Sequence, residues 1–531
     1  MLLIQSPRRG PAGWLTAVAL AFVTACCLPA AVSLPEVFSD YMVLQRERPV
    51  PVWGSASAGE LVTVTFRDQT RSATAAANGS WSLRLDPLSA GGPDELRVGG
   101  SASPAATVVF KDVLVGEVWL GSGQSNMAIT ITSDFVKGDA ALHAFAKVEH
   151  PRLRHMTSGS ATRGWLRATP SDIGSCSATM FAAALRIQGE LDVPVGVITA
   201  AVGLTSSNTW ISAEDFLADS ACQAKRKAYE ARYPELVVSH QQAVETWKTA
   251  VATAKAAGTK PPPWPKEPVK PNTRQGQHFD RLIRPLIPFA IRGVVWDQGE
   301  SGTGEPELDQ LTMMRALIGS WRKRWDLGDF PFIYVQKPSG LGLCWDPKDP
   351  FYAQAGHEPA ALPDEPAQSG IEYIDSMMRI RTIPVVGMVV SRDLSSSLHP
   401  AIKSSYGRRA GDVALNLAYG RKLPIYGPDY LGHEIQGSTI RVRFANAETG
   451  LVFKPNIHRK VTGLQGFSIA GADRRFRWAQ ATIDGSTVVV SHPEVPQPVA
   501  VRYGYSNDWL NWANLFNREG LPGLTFRSDD W

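Results

Sequence analysis

The chain has 531 residues, 44% of them hydrophobic and 20% charged, the balance of a soluble globular protein with more than one domain. Its formal net charge of +4 falls to +2 once a leader carrying Arg8 and Arg9 is removed, and neither value makes the basic footprint of a nucleic-acid binder. Sixteen tryptophans suit stacking on sugars, but large β units also bury tryptophan, and core packing is the first expectation.

Residues 1–33 have the pattern of a secretory signal peptide. Arg8 and Arg9 precede an apolar run from Trp14 to Leu28, and Ala31-Val32-Ser33 offers small residues at a cleavage site. The run is short for a bilayer span and no second one follows, so the mature chain is expected to be secreted or periplasmic, without a transmembrane segment. Val23-Thr24-Ala25-Cys26 loosely fits a lipoprotein signal, an alternative in which Cys26 carries lipid. With Cys26 and Cys27 gone, Cys176, Cys222 and Cys344 remain; their spacing is neither a disulfide framework nor a metal motif, and one unassigned bridge stays open.

Residues 34–110 read as a small β-sandwich module, with short apolar or alternating runs (Val50 to Trp53, Leu61 to Phe66, Trp81 to Leu85, Ala106 to Phe110) between turn signals such as Asn78-Gly79 and Gly91-Gly92-Pro93. From Lys111 strand-like runs alternate with helical ones, which predicts a parallel sheet covered by helices. The first of these runs, Val113 to Val115 and Val118 to Leu120, ends in Gly121-Ser122-Gly123 and then Gln124-Ser125-Asn126. A strand that ends in a glycine turn presents the next residue at the carboxyl edge of the sheet, where open α/β folds place their sites. Ser125 is therefore a candidate nucleophile, flanked by Gln124 and Asn126; the plainer reading makes it a helix cap.

The wording GEVWLGSGQSNM resembles the block around the active-site serine of the sialate O-acetylesterase-like family, within the SGNH hydrolases. That resemblance implies a flavodoxin-like, three-layer α/β/α hydrolase domain with accessory β-sandwich modules, and a serine enzyme that removes acetyl esters from sugars without metal or organic cofactor. LPEVFSDYMVLQRERPVPVWG and NGSWSLRL are similar to the family's N-terminal β module.

Further along, Ala178 to Leu191 has helical spacing, and Pro194 to Ala201 reads as the next strand, followed by Gly203-Leu204-Thr205. The stretch PVGVITAAVGLTSSNTWIS resembles the family's second block, which has two consecutive glycines; Gly203 matches the first, a source of an oxyanion-hole N–H, and Leu204 replaces the second. Residues 215–275 read as an insertion: Ala221 to Ala256 is helix-forming, and Pro261-Pro262-Pro263-Trp264-Pro265 is a stiff extended tract, a tie between elements before it is a groove rim. The sheet resumes with the strand Gly293 to Trp296, followed by Asp297-Gln298-Gly299-Glu300-Ser301-Gly302. The family's wording at that strand end is tryptophan-tyrosine-glutamine-glycine-glutamate-serine-asparagine, from which Asp297 and Gly302 depart. The resemblance makes the Gln298 amide an oxyanion donor and Glu300 a support for Gln298 or the histidine. A rival reading pairs Asp297 with Glu300 as glycosidase acids, and is set back because residues three apart on an extended strand end point to opposite faces.

Leu311 to Trp325 reads as a helix with Trp321 and Trp325 on one face, and Phe330 to Gln336 as a strand. Pro338 to Pro366 is loop-like, with Trp345, Phe351 and Tyr352, and is the place to seek specificity. His399 follows an apolar strand (Ile383 to Val390) and a polar turn, and precedes Pro400 and a helix from Ala401 to Tyr419 that Gly420 ends. His399-Pro400 and SYGRRAGDVALNLAYG resemble the family's catalytic-histidine block, which makes His399 the base; His492-Pro493 matches by letters only. Many SGNH enzymes carry an aspartate two or three residues before this histidine, where this chain has Ser397 and Ser396. Asp393, six residues ahead, is a candidate third member if the loop folds back; otherwise Glu300, a main-chain carbonyl or no acid at all orients the ring. Residues 431–531 return to β patterning, and ANLFNREGLPGLTFRSDDW resembles the family's C-terminus.

The expected organisation is a signal peptide (1–33), an N-terminal β module (34–110), a hydrolase domain in two parts (111–214 and 276–430) around the insertion (215–275), and a C-terminal β module (431–531). The expected activity is hydrolysis of acetylated oligo- or polysaccharides through an acyl-enzyme. Ser125 and His399 do the chemistry, and the N–H groups of Ser125 and Gly203, with the Gln298 amide, hold the oxyanion. The alternatives are a sugar-binding protein on a decayed esterase scaffold and, further off, a carboxylate glycosidase. The native sugar and the oligomeric state are left open.

Overall fold

The computed structural model describes residues 32–102, 107–160, 164–271, 274–337, 361–369, 372–394, 398–455, 460–505 and 512–531. Residues 1–31, with the expected leader and Cys26, and most of the specificity loop, with Trp345, Phe351, Tyr352 and Cys344, lie outside the described residues. The other two expected mature-chain cysteines, Cys176 and Cys222, are buried free thiols.

The molecule is built on one strand of 16 residues, Val108–Gly123. Its first half pairs antiparallel with Gly91–Gly100 and parallel with Val43–Gln45. Its second half lies between two parallel neighbours, Val195–Ala201 and Gly293–Asp297. Phe332–Val335 and Val386–Val389 extend the parallel sheet on the Gly293 side. Taken in chain order from Val108–Gly123, these five strands have the spatial order 2-1-3-4-5, with His150–Thr157 added outside the second. The order reverses at Val108–Gly123, which opens a crevice at its carboxyl end.

Period-two alternation decides which side chains face which layer. Trp119, Val197, Val295, Ile333 and Val389 point to the face covered by the helices Ala178–Leu191 and Lys403–Tyr419. Leu120, Ile198, Val294, Trp296, Phe332 and Met388 point to the opposite face, covered by the helix Gln310–Trp325. These helices sit where the spacing places them, with Ser177 and Asp309 capping two of them and Gly420 in the left-handed conformation ending the third. The last begins at Lys403, three residues beyond Pro400, so Pro400 does not occupy its first turn.

The expected boundary at residue 110/111 falls inside the long strand, which runs through it unbroken. Glu117, fully buried at the join, accepts hydrogen bonds from Gln45 (2.9 Å), Arg46 (2.5 Å) and Arg292 (2.7 Å). Burial works against its charge, but Arg292 and Arg46 hold the carboxyl below the usual range. The N-terminal β region shares its core with one face of the parallel sheet. The C-terminal strands instead surround their own core of Ile440, Val442, Phe467, Ile469, Val488, Val501 and Phe526.

The insertion is dominated by a 37-residue helix, Ser220–Ala256. Arg226 on that helix forms a buried ion pair with Glu305, which also accepts from the Asn208 amide, so the insertion is tied to the loops after two sheet strands. At the other end the proline tract folds back: the Trp247 indole donates to the Pro262 carbonyl (2.9 Å) and packs edge-on against Trp264. Among the described residues, no helix is long and apolar enough to cross a membrane.

Candidate active site

The crevice at the carboxyl end of the central strand holds Ser125. Gly123 makes the turn possible: its φ is +129°, and a Cβ there would lie 2.2 Å from the Asp297 carbonyl oxygen. Gln124, extended and anchored by its N–H to the Asp297 carbonyl (2.9 Å), carries the chain over the sheet edge. Ser125 is then the first residue of a one-turn helix, Ser125–Ala128. Its side chain does not cap that helix. Instead the Ser125 Oγ lies 2.9 Å from His399 Nε2. The two residues are 274 apart in sequence and meet because the loop after the last parallel strand passes over the crevice.

Gly203, just past Val195–Ala201, faces the same serine; a Cβ there would sit 3.6 Å from the Ser125 Cβ. Among the described residues, neither the Ser125 nor the Gly203 N–H donates to another group of the chain. The arrangement thus offers a hydroxyl, an imidazole nitrogen to receive its proton and two N–H groups that can serve an oxyanion. Phe135, 53% exposed, lies with its ring centroid 4.6 Å from that of His399 and forms part of the rim. Burial and the nearby Lys403 ammonium push the His399 imidazole below its ordinary value, with Glu300 pulling the other way.

Two expected roles are corrected by the structure. Asp393 does not serve His399: it is buried and gives both carboxylate oxygens to Arg409, at 2.5 and 2.6 Å. Ser396 and Ser397 lie outside the described residues. Gln298 is not an oxyanion donor, because its amide NH2 is spent on the carbonyls of Thr205 (3.2 Å) and Gly302 (3.0 Å), and its oxygen accepts from the Ser207 hydroxyl. It ties together the loops that follow the two strands on either side of Val108–Gly123. His492 belongs to the C-terminal β region, where its Nδ1 accepts from the Glu494 N–H.

Glu300, expected beside Gln298 or the histidine, holds the residues on either side of the nucleophile. It accepts from Gln124 Nε2 (2.5 Å) and Asn126 Nδ2 (2.8 Å), the two residues that flank Ser125. It also receives Lys337 Nζ at 2.6 Å, and the same ammonium stands 2.6 Å from Asp297 Oδ1. Asp297 and Glu300 therefore converge on one lysine instead of pointing to opposite faces. Burial opposes the charge of Glu300, but Lys337 holds it below the usual carboxylate range. A carboxyl kept ionised in this way is unsuited to act as a glycosidase's general acid.

Sequence reasoning missed Lys337 and Lys403, both buried beneath the site. A signal existed for Lys403: it shares its helix face with Tyr406, Ala410 and Val413, at the spacing of the buried stripe.

The two departures at the glycine and asparagine positions have opposite physical characters. Gly302 has φ +63° with open space around its Cα, a conformation asparagine also tolerates. Leu204, 89% exposed, holds φ +61°, which a branched side chain adopts only at a cost. Leu204→Gly is expected to stabilise the protein by about 0.5–1 kcal/mol, and Gly302→Ala to destabilise it by about 1 kcal/mol. Denaturant midpoints at constant m-value check both signs.

No family model matches the chain. It is 26% identical to the sialate O-acetylesterase of Rattus norvegicus over 426 residues, which cover 73% of this chain and 74% of the relative. It is 25% identical to that of Mus musculus over 522 residues, 89% of this chain and 88% of the relative. Among solved structures it is similar to a carbohydrate acetylesterase from Xanthomonas citri, with 27% identity and a TM-score of 0.71 over 94% of this chain and all of that one.

Proposed function

Because the chain is a member of the sialate O-acetylesterase-like family, we propose that it is a carbohydrate O-acetylesterase that works through Ser125 and His399. The observation that carries this reading is the 2.9 Å approach of Ser125 Oγ to His399 Nε2 at the crevice of the sheet. In this mechanism neutral His399 accepts the Ser125 proton as Oγ attacks the acetyl carbonyl. The tetrahedral oxyanion accepts from the Ser125 and Gly203 N–H groups. Its collapse expels the sugar oxygen, to which His399 returns the proton. Water, deprotonated by His399, then attacks the acetyl-enzyme; the second tetrahedral intermediate collapses, Ser125 Oγ takes the proton back from His399, and acetate leaves.

The strand order 2-1-3-4-5 supports an SGNH-type hydrolase domain, with the N- and C-terminal strands as its β-sandwich modules. In the same reading residues 1–33 are a secretory signal and the substrate is an acetylated oligo- or polysaccharide outside the cytoplasm.

Acetate release from p-nitrophenyl acetate and from acetylated saccharides, wild type beside Ser125→Ala, tests the proposal. A wild type silent on every ester while sugar binding persists would favour the decayed scaffold, and hydrolysis that survives Ser125→Ala would remove serine catalysis. The pH profile gives a second check. The base must be neutral, and His399 is held below its ordinary value of 6.5, so the midpoint of the acid limb of kcat/KM is expected below pH 6.5.

A further inference from the structure

Under the Ser125–His399 pair lies a buried charge relay that the proposed chemistry does not by itself require. Asn126, next to the nucleophile, donates from Nδ2 to the carbonyl of Leu398 (3.1 Å), the residue before His399. The same NH2 donates to Glu300, and the amide oxygen receives Lys403 Nζ at 2.6 Å. One side chain therefore fastens the serine's neighbour to the histidine's neighbour, and it is gripped from both ends by opposite charges. Glu300 in turn holds Gln124, on the other side of Ser125, and is joined through Lys337 to Asp297. The layer Lys403–Asn126–Glu300–Lys337–Asp297 holds two ammonium groups and two carboxylates; Lys403, Asn126, Lys337 and Asp297 are buried, and the Glu300 side chain is 7% exposed.

Lys403 is the costly member. Its ammonium is buried against an amide oxygen and lies 5.1 Å from the Tyr406 ring centroid, and among the described residues it forms no ion pair. Burying a charge on such terms is unfavourable unless it does something that a neutral side chain would not. Burial, with the neighbouring Lys337 ammonium, brings the group down to about 7, while Asp297, Glu300 and Asp139 work against the fall. Asp139 itself is committed to the Ser404 N–H (2.7 Å) and hydroxyl (2.8 Å). Among the described residues, the charged groups acting on His399 come from three separate elements. They are Lys403 at the start of its helix, Asp297 and Glu300 at the end of Gly293–Asp297, and Lys337 beyond Phe332–Val335.

We propose that Lys403 is a positioning residue of the active site: through Asn126 it fixes the nucleophile and the base to one another, and its positive charge keeps the His399 imidazole neutral and ready to accept the serine proton. Glu300 is the opposing weight, which fastens the same amide but favours the imidazolium. The inference rests on the Ser125–His399 reading.

The two roles carry opposite electrostatic signs, and the test uses this. Acid limbs of kcat/KM for p-nitrophenyl acetate are compared in wild type, Lys403→Met, Lys403→Arg and Glu300→Gln. Lys403→Met is expected to move the limb to higher pH by about half a pH unit or more, Lys403→Arg to keep it near the wild-type position, and Glu300→Gln to move it to lower pH. An unmoved limb in Lys403→Met, or shifts of the same sign in Lys403→Met and Glu300→Gln, would overturn the proposal. If Lys403→Met does not fold, the His399 imidazole is titrated by NMR in the full-length Ser125→Ala protein with and without Glu300→Gln. A midpoint at or above 6.5 without the second change, or one that does not fall with it, overturns the proposal in the same way. Hydrolysis that survives Ser125→Ala would end the serine reading itself. A wild type dependent on Ser125 whose limb ignores Lys403 ends only the role of the lysine.

Discussion

Replacing Ser125 with alanine is expected to lower acetate release by about 10⁴- to 10⁶-fold while leaving the protein folded. Only the Oγ is removed, from a half-buried position whose backbone is held independently by Gly123, Gln124 and the Glu300 clamp. The loss corresponds to about 5–8 kcal/mol of transition-state stabilisation, because the Oγ removed is the hydroxyl that stands against His399 Nε2. His399→Ala is expected to fall into the same range, and the double variant to be little worse than either, since the two act as one unit. Rates for the three variants, with circular dichroism to confirm the fold, decide this. Additive losses would mean that serine and histidine work separately.

Asp393→Ala is expected to fail in a different way. The Asp393 carboxylate neutralises Arg409 inside the protein, and Arg409 also donates to the Val390 carbonyl at the end of the strand that leads to the His399 loop. Removing the acid strands a buried guanidinium, which costs about 3–5 kcal/mol of stability. A triad acid would instead show a selective fall in kcat of about 10⁴-fold with stability kept. Thermal or denaturant unfolding set beside turnover per folded molecule separates the two. A stable Asp393→Ala protein with collapsed turnover would return Asp393 to the catalytic machinery. The paired substitution Asp393→Leu with Arg409→Met is expected to recover much of the lost stability, because the lone charge then disappears.

The placement of Ser125 was legible because a strand ending in glycines is a local feature whose geometry follows from steric rules. Gly123 is needed where it stands, and its neighbours in sequence are its neighbours in space. His399 was legible for a similar reason, as a loop residue between a strand and a helix start. The partners of the nearby acids and amides were not. Asp393 lies six residues before His399 in the chain, but its rotamer turns toward Arg409, on the helix that starts after the loop. Nothing in the local letters announces that direction. Gln298 carries the right group at the right strand end, yet its amide had carbonyl neighbours on two adjoining loops that only the fold supplies. The expectation that Asp297 and Glu300 diverge applied strand alternation to residues beyond the point where the strand stops, and the turn through Gly299 brings both to Lys337. The boundary at residue 110/111 was placed where the composition changes. That change reflects which layers cover the strand, not a break in the chain.

The unbroken central strand also has a consequence for how the protein is made. Synthesis delivers Val108–Gly123 long before the two strands that flank its second half, and the second flank is complete only when residue 297 has emerged. Until then the apolar stretch from Val118 to Leu120 belongs to a half-finished sheet with unpaired backbone edges, the kind of surface that recruits other nascent chains. The first half of the strand can meanwhile pair with Gly91–Gly100 and Val43–Gln45, which are already present. The earliest part of the fold thus holds the sticky segment at a fixed end and leaves its other end waiting. A nascent chain arrested between residues 123 and 297 is the one that most needs a chaperone.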